Sequence, residues 1–124
     1  MSTTFSRSQR ILSAKEYKEI WRKAKKLSGQ YISLVNCKND IGHPRLGLSF
    51  SKKHFPNAVD RNRLKRVARE TFRLKQDKLD QLDIIAVGSK GANLLTPQEQ
   101  YQLFNTLWDR LSKRCGANFH SQSL

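Results

Sequence analysis

Asp60-Arg61-Asn62-Arg63-Leu64-Lys65-Arg66-Val67-Ala68-Arg69-Glu70-Thr71-Phe72-Arg73-Leu74-Lys75, residues 60–75, carries the pattern around which the rest of the chain is organised. On a helical wheel Leu64, Val67, Ala68, Thr71 and Leu74 form one stripe, the expected buried side. Asn62, Lys65, Arg66, Arg69 and Arg73 gather on a different face. Asn57 stands where such a helix needs its N-cap. From Arg61 to Lys75 there are seven Lys or Arg and one acid, Glu70. A solvated helix face ordinarily interleaves Glu with Lys, because opposite charges four residues apart stabilise it. Here one sign accumulates, which costs free energy unless a polyanion neutralises it. Guanidinium forks suit bidentate bonds to phosphate, and the Asn62 amide beside them can reach a sugar or a base edge. Such a site requires that the segment be helical and that its arginines not be taken up by the protein's own acids.

The elements on either side follow from periodicity. Ser13 and Glu16 form a capping-box pattern, and Tyr17, Ile20, Trp21, Ala24 and Leu27 recur at helical spacing, predicting a first helix that ends at Ser28-Gly29. Residues 30–38 predict a strand centred on Tyr31, Ile32, Leu34 and Val35. A breaker-rich loop at 39–44 leads into residues 45–51, where Leu46, Leu48 and Phe50 alternate with Gly47, Ser49 and Ser51. These two strands are expected to pair antiparallel, leaving a small, hydroxylated face open to solvent or a ligand. Lys52-Lys53-His54-Phe55-Pro56 is a basic connector to the long helix. Beyond a polar linker, Ile84-Ile85-Ala86-Val87 is apolar throughout, as in a strand covered on both sides. Thr96-Pro97-Gln98-Glu99 opens a last helix whose stripe is Tyr101, Phe104, Leu107, Trp108 and Leu111. The order is α-β-β-α-β-α, with room for a further short strand before Tyr31, and implies an α+β domain with a mixed sheet.

Composition sets the class of partner. The chain of 124 residues is sized for a single domain over 1–124, with residues 1–12 and 116–124 expected as flexible tails. Lys and Arg number 24 against 10 Asp and Glu, a net charge of +14, so nucleic acid is the first candidate partner and an anionic membrane the second. No apolar run approaches the roughly 20 residues that span a bilayer, and Met1 to Arg7 lack a signal peptide's apolar core. A cytoplasmic protein without a membrane partner is expected. Cys37 and Cys115 fit no metal or redox spacing and are expected as reduced thiols. His43, His54 and His120 are scattered, and Asp40, Asp60, Asp77, Asp80, Asp83 and Asp109 form no legible metal box. No catalytic residue and no bound cofactor or metal is therefore assigned to the chain itself.

Ser51-Lys52-Lys53, a short gap, then Ala58-Val59-Asp60-Arg61-Asn62-Arg63-Leu64-Lys65-Arg66 resembles the signature of the bacterial ribonuclease P protein subunit. Gly42-His43-Pro44-Arg45-Leu46-Gly47-Leu48-Ser49 fits as well, and the resemblance covers roughly residues 10–115. It implies a fold like ribosomal protein S5 domain 2, with an unusual left-handed crossover around the basic helix. It also implies membership of an RNA–protein enzyme that removes the 5′ leader from precursor tRNA. In that family the RNA subunit performs the endonucleolytic hydrolysis with Mg2+, and the protein binds. By position, Arg61, Asn62, Arg63, Lys65, Arg66, Arg69 and Arg73, with Lys52 and Lys53, would meet RNA near the cleavage site. Tyr17 and Trp21 of the first helix, with Ser49, Ser51 and Lys52 of the sheet, would hold the single-stranded leader. Family members often carry Phe at the two aromatic positions, and Tyr and Trp keep a stacking surface. A structural RNA-binding protein of a ribosome-like particle shares the charge. A DNA-binding regulator with the basic helix in a major groove is a third class, disfavoured by the lack of a closely coupled second helix.

Overall fold

The computed structural model describes residues 10, 11 and 13–123, with side chains to Arg114. Helix α1 spans Ala14–Lys23, followed by strands β1 (Lys25–Leu27), β2 (Ile32–Lys38) and β3 (Arg45–Ser49). Helix α2 spans Ala58–Lys75, β4 Leu82–Gly88 and α3 Pro97–Ser123, with 3-10 turns at Gln76–Lys78 and Ala92–Leu94. The flexible tails expected at 1–12 and 116–124 fall outside the described residues, apart from Arg10, Ile11 and the helical backbone up to Ser123.

The capping boxes form as the sequence requires. Ser13 and Glu16 exchange bonds of 3.1 Å each, and Thr96 and Glu99 do so at 2.8 and 3.1 Å. The Asn57 side chain accepts from the Val59 N–H at 2.9 Å. The first helix, however, stops at Lys23. Ala24 is extended, and Lys25, Lys26 and Leu27 pair antiparallel with Asn36, Val35 and Leu34. The i, i+3 spacing of Ala24 and Leu27 suits a helix, but a strand here supplies partners to the outer edge of β2 and still buries Leu27.

The sheet order is β1-β2-β4-β3. The expected antiparallel pair of the second and third strands does not form. Instead β4 lies between them, antiparallel to β2 and parallel to β3. Ile84, Ile85 and Ala86 are fully buried, and a strand apolar on both faces is most stable in the centre of a sheet. Helix α2 is the crossover from β3 to its parallel neighbour β4.

Two apolar clusters sandwich the sheet. On one face α2 and α3 pack over Ile32, Leu34, Leu46, Ile84 and Ala86. There Trp108 is wholly buried, edge-on to Phe72 at 5.7 Å and stacked on Phe104 at 6.2 Å. Its indole N–H donates to the Thr71 hydroxyl at 2.7 Å, so the ring is buried with no polar group left over. This packing corrects the predicted stripe of α2. Phe72 is buried and Leu74 is 65% exposed, because α3 lies on the Phe72 flank. On the other face the short α1 covers Val35 and Ile85 with Ile20, joined by Ile11 and partly by Tyr17.

A buried ionic network fixes α1 on that second face. Arg45 of β3 donates to both Asp83 carboxylate oxygens, from Nε and Nη2 at 2.8 Å each, and from Nη1 to Glu16 at 2.8 Å. Asn39 donates to Asp83 as well, at 2.9 Å. The Arg45 side chain is 14% exposed and that of Asp83 9%. The bond to Asp83 raises the arginine's pKa from its ordinary value. Asp83→Ala leaves a buried guanidinium without its main partner and is expected to cost about 3 kcal/mol of unfolding free energy. Urea denaturation checks this; a loss below about 0.5 kcal/mol, within the surface range, would show that the network does not hold the layers.

Candidate nucleic-acid interface

Helix α2 buries Leu64, Val67, Ala68, Thr71 and Phe72, so its basic residues must point elsewhere. They do not all do the same thing. Arg61 turns back on the chain, donating to the carbonyls of Phe55 at 2.7 Å and Pro56 at 3.2 Å. It is half-buried and anchors the connector. Lys75 is paired with Asp109 of α3 at 2.9 Å. Glu70, the one acid of the stretch, accepts from the Tyr101 hydroxyl of α3, a bond that raises the phenol's pKa. Among the described residues Arg63, Lys65, Arg66 and Arg69 make no ion pair with a carboxylate, and the Asn62 amide is not engaged. Both requirements set by the sequence are met, since the segment is helical and these cations remain available.

Asn62, Arg66, Arg69 and Arg73, with Glu70, line an open groove of about 500 Å³, and its other wall is Arg10. A second groove of about 260 Å³ adjoins it, lined by Arg10, Ile11, Tyr17, Leu46, Gly47, Leu48, Lys65 and Arg69. Arg10 and Arg69 belong to both. Burial first, then the charge of Arg10, lowers the Arg69 pKa from its ordinary value. Arginine stays charged at neutral pH even so.

The second groove is shaped by β3, the edge strand. Tyr17 reaches across to it, its hydroxyl accepting from the Leu48 N–H at 2.9 Å and lying 3.4 Å from the Leu48 carbonyl. A Cβ on Gly47 would fall 2.6 Å from that hydroxyl oxygen, so only glycine admits the ring. Tyr17 is neither core nor free, because its polar end is fixed and its ring walls the groove. Trp21, one turn further along α1, is 49% exposed and lines neither groove. Its exposure excludes core packing as the reason for the residue.

The remaining predicted positions are spread out. Ser49 ends β3, two residues beyond Gly47 and on the same face. Ser51 closes a turn, its hydroxyl accepting from the His54 N–H at 3.2 Å and its carbonyl from Phe55 at 2.9 Å. Lys52 and Lys53 are exposed in that turn. Arg63 is exposed but lies off the grooves. Sequence pattern missed Arg10, which falls in the arm expected to be loose. It is bridged to Leu46, with Ile11 buried and its N–H donating to the Leu46 carbonyl at 3.1 Å. The apolar Ile11, just upstream of the Ser13 cap, was the signal available. Among the described residues no three His, Cys, Asp or Glu side chains gather as a metal site would need, and Cys37 is a free thiol. No helix there is long and apolar enough to cross a membrane.

With this geometry in hand, the relatives are informative. The family model described as Ribonuclease P matches residues 5–112. The ribonuclease P protein component of Photobacterium profundum is 38% identical over 109 residues, covering 88% of this chain and 92% of the relative. That of Vibrio cholerae serotype O1 is 38% identical over 114 residues, covering 91% and 97%. Among solved structures, the RNase P protein of Staphylococcus aureus superposes with a TM-score of 0.76 at 29% identity, over 82% of this chain and 93% of that one. The RNase P protein of Thermotoga maritima gives 0.72 at 25% identity, over 82% and 96%. The mixed four-stranded sheet with three helices is shared with these structures.

The groove chemistry makes one measurement decisive. Affinity for a short single-stranded RNA should fall with salt, log affinity against log salt having a slope of about −0.7 for each phosphate neutralised. Arg66→Ala should make that slope shallower. Binding that hardly changes between low and high salt would exclude a phosphate-binding face.

Proposed function

The chain belongs to the ribonuclease P protein family, and from that premise we propose that it is the RNA-binding subunit of a cytoplasmic ribonuclease P. It binds the RNA subunit and the 5′ leader of precursor tRNA, and so assists endonucleolytic removal of the leader. The observation that carries this reading is the face of α2 bearing Asn62, Lys65, Arg66 and Arg69. Among the described residues its Lys65, Arg66 and Arg69 make no ion pair with a carboxylate, and the face runs directly into the groove walled by Tyr17. In this reading the RNA subunit, with its Mg2+, supplies the hydrolysis, and every residue of the chain acts by binding.

The protein's part has two components. Counter-charge along α2 lowers the repulsion between the RNA subunit and precursor tRNA, two polyanions that must meet. The α1 side of the sheet then takes the unpaired leader. Tyr17 offers a ring held by Leu48, Trp21 an exposed indole, and Ser49 a hydroxyl at the end of β3. Stacking on such rings is worth about 1–3 kcal/mol per base and asks little of sequence.

Reconstitution tests the proposal. The chain mixed with a ribonuclease P RNA should trim precursor tRNA at physiological magnesium, and failure to do so with a folded protein would sink the assignment. Replacing Arg66 and Arg69 together by Ala should slow cleavage at low magnesium by roughly tenfold or more. Unchanged cleavage would remove α2 from the interface. Trp21→Ala should weaken binding of leader-bearing precursor by about 1–3 kcal/mol and leave mature tRNA binding unaltered. Equal losses on both RNAs would place the indole elsewhere.

A further inference from the structure

We propose that Tyr101 of α3 is a positioning residue for RNA binding: its hydroxyl holds the Glu70 carboxylate toward α3 and so leaves the Arg66 guanidinium for phosphate. The inference rests on the RNA-binding reading above. It adds a residue that belongs neither to the basic helix nor to the α1 side of the sheet.

Glu70 is the one acid between Arg61 and Lys75, and it lines the same groove as Arg66. The two stand four residues apart on one helix, where side chains are neighbours at about 5–6 Å between Cβ atoms and opposite charges ordinarily pair. Helix α1 shows that ordinary outcome, with Glu19 paired to Arg22 at 2.9 Å and to Lys23 at 4.0 Å. Helix α2 does not. Among the described residues Arg66 makes no ion pair with a carboxylate, and Glu70 accepts through Oε2 from the Tyr101 hydroxyl instead. Arg66 is still within electrostatic reach of that bond. The bond to Glu70, then burial and the Glu70 charge, raise the phenol's pKa, and the Arg66 charge opposes them.

Holding the two helices together does not require this hydroxyl. Trp108 donates to Thr71 at 2.7 Å and Lys75 pairs with Asp109 at 2.9 Å across the same seam, over the buried rings of Phe72 and Phe104. The Tyr101 ring packs against that core, which fixes where its hydroxyl can reach. The chemistry of the donor is the decisive point. A phenol with a raised pKa is neutral near pH 7, so it satisfies the carboxylate without consuming a cation. Were Glu70 to turn to Arg66, that pair would have to be broken before the guanidinium could meet a phosphate.

The test uses the full chain, a ribonuclease P RNA and precursor tRNA. Affinity of the chain for the RNA subunit, and of the holoenzyme for precursor, is measured across a salt series, with thermal midpoints alongside. Tyr101→Phe should weaken at least one of the two about twofold at low salt, the weight of one helical ion pair. The difference should close as salt screens that pair. Adding Glu70→Gln should return the affinity to the wild-type level or above, although it cannot rebuild the seam bond. In an Arg66→Ala background Tyr101→Phe should change nothing, since it acts through that arginine. Unchanged affinities in Tyr101→Phe overturn the proposal. So does a loss that persists at every salt concentration, or one of equal size with and without Arg66. A lowered thermal midpoint with an unaltered salt response would assign the hydroxyl to the seam alone and overturn it as well. Tyr101→Met, which also lacks the hydroxyl, repeats the measurement should the phenylalanine variant be poorly folded. A wild-type holoenzyme that does not cut precursor would instead refute the functional reading itself, so the two failures are separable.

Discussion

Positive charge crowded on one face of α2 can persist only because the opposite face is locked into the core. Like charges three or four residues apart destabilise a helix by about 0.2–0.5 kcal/mol per pair, and α2 carries such pairs at Lys65–Arg69, Arg66–Arg69 and Arg69–Arg73. Against that sum of roughly 0.6–1.5 kcal/mol stand Leu64, Val67 and Phe72, each all but fully buried and worth about 1.5–3 kcal/mol. Packing wins with a margin. The margin depends on α3, because Trp108 supplies the surface that Phe72 meets and its N–H is satisfied within α2 itself by Thr71. The face available to RNA is thus stabilised from behind.

The acids of the chain follow the same division of labour. Five of the ten sit at seams between elements. Asp83 and Glu16 hold Arg45 between α1, β3 and β4, Asp109 holds Lys75 between α2 and α3, and Glu70 takes the Tyr101 hydroxyl across the same seam. Asp60 accepts from Asn93 of the turn that precedes α3. Cations at seams are structural. On α2, among the described residues, Arg63, Lys65, Arg66 and Arg69 make no ion pair with a carboxylate. A net charge of +14 is therefore less informative than the distribution behind it.

Much of this was legible in the sequence, where a single element carries its own evidence. The basic face of α2, its Asn57 cap and the Thr96–Glu99 box needed nothing beyond local spacing. Whatever required a second element was harder. Phe72 and Leu74 flank the stripe of α2 on opposite sides, and only the position of α3 decides which is buried. Residues 45–49 alternate as a strand should, but the insertion of β4 between them and β2 is a long-range event. The apolar run Ile84 to Val87 was the clue, since a strand covered on both faces belongs at the centre. Lys25-Lys26-Leu27 is too short for two periods to be distinguished. Of the predicted leader cleft, Tyr17 lines the groove beside β3, and Trp21, Ser49 and Ser51 are not among that groove's lining residues. Arg10, which lines it, sits in a stretch with no periodicity to expose it.

The closure of the sheet edge and the formation of the groove are one event. An exposed edge strand presents N–H and C=O groups that invite another strand. On β3 those of Leu46 and Leu48 are taken, the first by Ile11 and the second by the Tyr17 hydroxyl. The second closure depends on Gly47, whose missing side chain lets Tyr17 lie against the strand. With the backbone satisfied, the groove has no ladder to offer a peptide. What it presents is an aromatic ring, apolar walls and the guanidinium groups of Arg10 and Arg69, a set that suits the alternating base and phosphate of an unpaired RNA strand. The capping residue Glu16, next to Tyr17, is also the residue that binds Arg45, so the contact that seats α1 on the sheet sets the position of the ring as well.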